Sequence, residues 1–254
     1  MNKFINKFKK ELTYFKSNKE YVLFDHLPKC AGTMINSNLA KAYPERLTFY
    51  IDGAEPVKSA EEFKSLSQKN RWSKRLVYGH NAHQLLDFVN PKAVAITVFR
   101  EPVDRIISHY YYVKRIKDHY LHDRVIKEKI SLENYCSSDL SIELTNWYTW
   151  YYSKMSPEEI ASNPDKALDC AFQNVITNYK IIGFQDKLPQ FLKAVETLLN
   201  VELEVTERNK TEKRISIDDI EPFVIKKIEE ANSLDIKLYG KLLKLRKNGV
   251  VSGI

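Results

Sequence analysis

Tyr21-Val22-Leu23-Phe24-Asp25-His26-Leu27-Pro28-Lys29-Cys30-Ala31-Gly32-Thr33-Met34 is the stretch that decides the fold. Val22 to Phe24 reads as a short apolar strand running into a loop that holds Pro28, Lys29 and Gly32. Behind the loop, Ile35, Leu39 and Tyr43 recur at helical spacing. A strand, a small-residue loop and a helix in that order aim free backbone N–H groups and a positive dipole end at an anion. Lys29 adds a mobile cation and Thr33 a hydroxyl at the helix start. Lys29, Cys30, Ala31, Gly32, Thr33 and Met34 therefore form a candidate loop for a phosphate-like group.

The loop is not of the Walker A type. That motif places Lys after the last Gly and follows it with a Ser or Thr that reaches Mg²⁺. Here Lys29 precedes Gly32, and no Gly-Lys-Ser/Thr run follows a strand anywhere in the chain.

Further strands and helices follow. Leu76 to Tyr78 reads as a short strand ending in Gly79-His80-Asn81-Ala82-His83. Ala93 to Phe99 is a continuous apolar run, the pattern of a strand buried on both faces. It stops at Arg100-Glu101-Pro102, where Pro suits the first turn of a helix running from Val103 to about Lys117. Tyr179 to Phe184 is another strand, and Asp186 is placed to cap a helix from Leu188 to Leu199. Strands alternating with helices imply right-handed crossovers: an α/β, P-loop-like three-layer domain with a central parallel sheet flanked by helices. Between these elements, Asp52 to Lys74 is polar with one helix at Ala60 to Leu66, and Asp118 to Asp169 is helical and rich in aromatic residues. A final helical region spans Asp218 to Leu245. There is no repeat, linker or low-complexity tract, so residues 1–254 are read as a single domain.

Composition narrows the partners. The chain has 254 residues, 43% hydrophobic and 29% charged, with a formal net charge of +7 that favours anionic partners. Cys30, Cys136 and Cys170 make an odd count with no paired spacing, which argues against a disulfide scaffold and against a CxxC metal site. No apolar run is long enough to span a bilayer and the N-terminus has no signal-peptide core, so a soluble protein of a reducing, cytoplasmic compartment is expected. Residues 1–19 carry six lysines with Phe4, Phe8, Leu12 and Phe15 at helical spacing. This basic amphipathic helix reads as packed on the domain, with peripheral contact to an anionic membrane as the alternative.

Pro28-Lys29-x-Ala31-Gly32-Thr33 resembles the 5′-phosphosulfate loop of sulfotransferases that use 3′-phosphoadenosine-5′-phosphosulfate (PAPS). The form beginning His26-Leu27-Pro28-Lys29 is similar to the carbohydrate branch that includes heparan sulfate 2-O-sulfotransferase. A second motif carries the same resemblance. Arg100-Glu101-Pro102-Val103-Asp104-Arg105-Ile106-Ile107-Ser108-His109-Tyr110 keeps every position of the family's 3′-phosphate motif, Arg-(Asp/Glu)-Pro-x-x-Arg-x-x-Ser-x-(Tyr/Phe). Arg100 can donate a forked, charge-assisted pair of hydrogen bonds to a phosphate, and Ser108 a further one. Ile182-Gly183-Phe184 and Ala231-Asn232-Ser233-Leu234-Asp235 look like later landmarks of the family. The resemblance implies PAPS as co-substrate, adenosine 3′,5′-bisphosphate as product, no metal, and a hydroxyl acceptor, in this branch a glycan.

Such a transfer wants a general base for the acceptor hydroxyl. In the resembled group a His-Gly-His element supplies it; here the stretch reads Tyr78-Gly79-His80, so the second His is retained and His80 is the candidate. His26 reads as support for the loop, while His109, His119 and His122 fall at the surface or face the middle region. The segment Glu207 to Arg214 reads as a solvated charge run, within which Lys210, Thr211 and Lys213 are the candidate phosphate contacts. The aromatic run Trp147 to Tyr152 reads first as core and second as a stacking platform for sugars. Two other functions stay open: a P-loop-type kinase, and a basic polyanion-binding protein without catalysis. No recognition-helix, zinc-finger or single-strand pattern argues for nucleic acid.

Overall fold

The computed structural model describes residues 20–137, 139–203 and 217–252. The basic stretch 1–19 and the loop with Lys210, Thr211 and Lys213 lie outside them. In chain order, β1 (Val22–Asp25), α1 (Gly32–Ala42), β2 (Thr48–Ile51), α2 (Pro56–Ser65), α3 (Gln68–Ser73), β3 (Leu76–Gly79) and β4 (Val94–Phe99) come first. Next are α4 (Pro102–Arg115), α5 (His122–Lys127), α6 (Trp147–Ser153), α7 (Pro157–Ser162) and α8 (Pro164–Asn178). β5 (Tyr179–Phe184), α9 (Leu188–Leu199), α10 (Pro222–Ala231), α11 (Ser233–Leu245) and β6 (Val251–Ser252) complete the described chain. Contacts divide it into two compact units: residues 20–99, 178–203 and 247–252 in the first, and 100–177 with 217–246 in the second.

The first unit holds the sheet, in the order β2-β3-β1-β4-β5-β6. Every pairing is parallel except β5 with β6, so the sheet is mostly parallel, as the crossover pattern implies. β1 lies between β3 and β4, with Asp25 opposite Gly79 on one side and Thr97 on the other. Strand alternation sends Val22 and Phe24 to the face covered by Met34, Ile35 and Leu39 of α1 and by Phe191, Leu192, Val195 and Leu199 of α9. Burying each of these side chains stabilises the fold by about 1.5–3 kcal/mol. Gly183 of the Ile-Gly-Phe landmark is explained by this packing, because a Cβ there would sit 2.3 Å from Phe191 Cδ2. Asp25 is fully buried and ties the strands together: its carboxylate accepts from the Tyr179 hydroxyl at 2.7 Å and from the His83 N–H at 3.3 Å. Thr97 Oγ1 donates to the Asp25 carbonyl at 3.0 Å.

The second unit is helical. Glu101 caps α4, accepting from the N–H groups of Val103 and Asp104, and Pro102 fills the first turn. Val103, Ile106, Ile107, Tyr110 and Val113 of α4 form a core with Tyr135, Leu144, Val224 and Ile228. The aromatic run of α6 is core, since Trp147, Tyr148, Tyr151 and Tyr152 are all buried. Arg105 is fully buried beside the Trp147 and Tyr148 rings, and its Nη2 donates to the Glu143 carbonyl at 2.8 Å. Asp235, also fully buried, lies in the field of Arg105 and accepts from the N–H groups of Tyr148 and Thr149 and from Thr149 Oγ1 at 2.8–2.9 Å. Asn232 accepts from the Asn146 N–H and donates to the carbonyls of Leu144 and Ile228. Asn232 and Asp235 thus give the Ala-Asn-Ser-Leu-Asp landmark its structural meaning.

Several local expectations need correction. The residue before α9 is Lys187 with no side-chain cap, and Asp186 sits in the preceding turn. The region 218–245 is helical as expected, in two helices that meet at Asn232, whose side chain is held by the contacts just described. The segment 52–74 holds two helices, α2 and α3, and two strands, β2 and β6, went unread. β2 is an edge strand with only Ile51 buried, and β6 is two residues long, so neither leaves an apolar run. Asp235→Ala strands the buried N–H groups of Tyr148 and Thr149 without their acceptor, so it should lower unfolding free energy by about 1–3 kcal/mol for each. Urea denaturation measures it, and Asp235→Asn, which keeps an acceptor for the α6 N–H groups, should lose less.

Candidate active site

The loop after β1 is built by backbone, not by glycine alone. Lys29 and Ala31 both take left-handed φ values, 65° and 66°, a conformation that costs non-glycine residues about 1–2 kcal/mol each. The Cys30 N–H closes the turn on the Leu27 carbonyl at 3.3 Å, and Cys30 Sγ reaches the Pro28 carbonyl at 3.4 Å. α1 then starts at Gly32 with Ala31 as its N-cap, and no side chain caps it. The first-turn N–H groups of a helix have no acceptor within it, and the dipole is positive at that end. Thr33 is exposed and Lys29 half-buried, whereas Cys30, Gly32 and Met34 are buried. Met34 joins the core against β1, so its contribution to the loop is packing. The geometry fits an anionic ligand: an uncapped helix end flanked by one cation and one hydroxyl.

The parallel register puts two histidines together. Asp25 pairs with Gly79, so His26 and His80 are the next residues on adjacent strands, and the His26 N–H donates to the Gly79 carbonyl at 3.0 Å. Their rings stack with centroids 4.0 Å apart and 26° between planes. The Asn36 side-chain amide, one turn into α1, is hydrogen-bonded to His26 Nδ1 at 3.1 Å. Two glycines make the room. A Cβ on Gly32 would fall 1.7 Å from His26 Cδ2, and one on Gly53 would fall 2.6 Å from His80 Cδ2. Gly79 itself has φ +130°, and a Cβ there would meet the Ile51 carbonyl at 2.3 Å. Burial holds the His26 imidazole well below its usual range, and the neighbouring His80 and Lys29 push it the same way.

The stacked pair opens on a cavity of about 320 Å³ at the end of the sheet. His26, His80, Tyr50 and Tyr78 line one side, and Thr33, Asn36 and Ser37 of α1 the other. The Tyr50 and Tyr78 rings lie 5.1 Å apart, tilted by 47°. Thr33 belongs both to the loop and to the cavity wall. The sequence alone points to the loop and to His80, gives His26 only a supporting part and does not point to the tyrosine pair. The signal was present: Phe24-Asp25-His26 and Tyr78-Gly79-His80 end in His at the same strand position.

Arg100 and Ser108 belong to the second unit. Tyr148 Oη donates to the Arg100 carbonyl at 3.1 Å and lies 3.3 Å from its N–H, while Arg100 Nε donates to the Asp104 carboxylate. Ser108 is buried on α4. The acidic position of the motif, Glu101, is the helix cap and is buried enough to raise its pKa. Three further histidines have side-chain partners: His109 Nδ1 bonds the Tyr135 hydroxyl at 2.7 Å, His122 Nδ1 the Val113 carbonyl at 2.8 Å, and His119 Nδ1 accepts the Leu121 N–H. Lys210 and Thr211 fall outside the described residues. Among the described residues, no three His, Cys, Asp or Glu side chains gather as metal ligands, and no helix is long and apolar enough to cross a membrane.

A model described as the sulfotransferase family matches residues 12–241. Among curated proteins, the sequence is 24% identical over 198 residues to heparan sulfate 2-O-sulfotransferase 1 of Mus musculus and to that of Cricetulus griseus. It is 23% identical over 198 residues to the Homo sapiens protein of the same name. Each alignment covers 70% of this chain and 54% of the relative, so the chain spans about half the length of the curated relatives it matches.

The buried imidazole makes a pH prediction. An unfolded His26 takes a proton near pH 6.5, while the folded one resists it, so the unfolded state binds more protons below that value. Stability should therefore fall as pH drops from 7 towards the folded pKa, by at most about 1.4 kcal/mol per pH unit from this group. His26→Gln should flatten that limb, and an NMR titration should show the His26 ring neutral well below pH 6.5.

Proposed function

The chain belongs to the sulfotransferase family, and we propose that it moves a sulfuryl group from PAPS to a hydroxyl of an acceptor, a carbohydrate by analogy with the relatives' names. One observation carries the reading: the cavity that presents the His80 imidazole is also lined by Thr33 of the anion-binding loop. Lys29, the Thr33 hydroxyl and the first-turn N–H groups would hold the 5′-phosphosulfate. Arg100 and Ser108 would hold the 3′-phosphate, with Asp104 orienting the guanidinium through Nε. Lys210 and Thr211 are assigned as further nucleotide contacts on the motif resemblance alone.

The acceptor oxygen attacks sulfur as the bond from sulfur to the 5′-phosphate oxygen breaks, and His80 takes the hydroxyl proton. Lys29 stabilises the charge that develops on the departing phosphate. Positioning and fixed charge do most of such work, and no redox step or metal enters the balance. Asn36 and His26 have no bond to break; Asn36 holds His26 by a hydrogen bond, and His26 holds the His80 imidazole by stacking.

In ³⁵S transfer assays, Lys29→Ala should lose about 10²–10³-fold in kcat. His80→Ala should lose about 10²–10⁴-fold while keeping its affinity for adenosine 3′,5′-bisphosphate in calorimetry; full activity would remove His80 as the base. Arg100→Ala should weaken that nucleotide by about tenfold or more. Unchanged affinity in Arg100→Ala would sink the 3′-phosphate assignment, and tight Mg²⁺-dependent ATP binding would favour a kinase.

A further inference from the structure

We infer that Gly53, in the turn after β2, is a positioning residue for His80: the missing side chain there leaves the imidazole the place from which it faces the cavity. The inference deepens the proposed reaction and rests on it only where it expects an effect on turnover.

Glycine serves a position in two ways, through a backbone that other residues rarely adopt or through a neighbour too close for a Cβ. The first does not apply at residue 53. Among the described residues, Gly79 and Gly249 are the glycines with positive φ, so any residue could adopt the Gly53 backbone. The position is also exposed, and on its outer side a side chain would meet solvent. What fills the inner side is the His80 ring. A Cβ on residue 53 would lie 2.6 Å from His80 Cδ2 and 3.2 Å from Nε2. The shorter distance is about 0.8 Å inside the 3.4 Å at which ordinary contact begins.

Neither the turn nor the ring is loose. Asp52 Oδ1 accepts the Ala54 N–H at 3.0 Å, and the Asp52 N–H donates to Ser59 Oγ at 3.2 Å. Ser59 is buried on α2, so the residues on both sides of Gly53 are fixed. His80 is stacked on His26 with centroids 4.0 Å apart. His26 is backed in turn by Gly32, where a Cβ would fall 1.7 Å from its Cδ2, and by the Asn36 amide at Nδ1. Each ring of the stacked pair is thus packed against a glycine, one at the start of α1 and the other after β2. Against these neighbours, the open side of His80 is the cavity that it lines. A Cβ at residue 53 would drive the ring that way, into the space an acceptor hydroxyl needs. A displacement of about 1 Å at a reacting group costs about 10²-fold in rate.

The test is a double-mutant cycle on Gly53→Ala and His80→Ala, read by ³⁵S transfer to a glycan panel, calorimetry with adenosine 3′,5′-bisphosphate and urea unfolding. Gly53→Ala alone should lose about 10–10²-fold in kcat, with nucleotide affinity and the KM for PAPS within about twofold of the parent. In the His80→Ala background the same change should alter kcat by less than about twofold, because the ring it displaces is gone. The urea midpoint should fall in Gly53→Ala. It should hold or rise when that change is added to His80→Ala, since alanine on a compatible backbone restricts the unfolded chain. Equal losses of kcat in both backgrounds would make Gly53 structural only and overturn the inference, as would full kcat in Gly53→Ala. If Gly53→Ala does not fold, the double variant, whose new Cβ meets no ring, should; failure of both overturns the inference too. The two readings fail separately. A parent protein that neither binds the nucleotide nor transfers ³⁵S removes the transferase, while the urea cycle still decides whether residue 53 sets the His80 ring. Additive urea midpoints in an active enzyme remove the positioning role and leave the transferase standing.

Discussion

The pairing of Asp25 with Gly79 is the constraint on which the rest of the site depends. It brings the ends of two parallel strands level, so that the following residues, His26 and His80, leave the sheet side by side. Glycine is required at position 79 on two grounds, its positive φ and the Ile51 carbonyl that any Cβ would strike. A slip of one residue would move every side chain of β3 to the opposite face, burying the wrong set and separating the imidazoles. Gly79 holds the strand against that slip, since any residue with a Cβ brought to its place would meet the Ile51 carbonyl.

Buried charge does comparable work in the second unit. Arg105 and Asp235 are both fully buried, and Asp235 spends its oxygens on the backbone of α6. Burial raises the Asp235 pKa in spite of Arg105, so desolvation is the larger influence on that carboxyl. Such buried polar groups add little net stability compared with apolar side chains of the same volume, but they penalise any arrangement that takes their hydrogen-bond partners away. The Arg100 motif sits on the helix that carries Arg105, and Tyr148 contacts both the Arg100 backbone and the face of Arg105. The second arginine of the motif is therefore structural, while the first is left to face a ligand in the proposed reaction.

How much of this could be read in advance follows from what each residue needs to know. β1, β3, β4 and β5 were legible because their apolar residues are contiguous, and α9 because its repeat is regular. The loop at Lys29 was legible because a small-residue turn between strand and helix has few other uses. The stack of His26 on His80 was not, since it depends on the β1–β3 register, and one sequence gives strands without their order. Arg105 was unreadable for a different reason: arginine is seldom fully buried, and the Glu143 carbonyl and the Trp147 and Tyr148 rings that hold it are remote in sequence. The tyrosine pair failed likewise, because Tyr50 lies on the edge strand whose pattern gave no strand at all.

The stack also bears on how a proton would be handled in the proposed reaction. Two imidazolium charges 4.0 Å apart would repel by about 4 kcal/mol at an effective dielectric constant of 20. The pair therefore carries one proton far more readily than two. Burial and Lys29 disfavour that proton on His26, and Asn36 already occupies its Nδ1. His80, less buried and lining the cavity, is the member assigned as base in the proposed reaction. A tyrosine at position 78 then has no proton to compete for, since burial pushes its hydroxyl pKa up, away from neutrality. The missing first histidine of the His-Gly-His element is in this sense replaced from another strand: His26 supplies an imidazole beside His80, and Tyr78 is released to line the acceptor's side of the cavity.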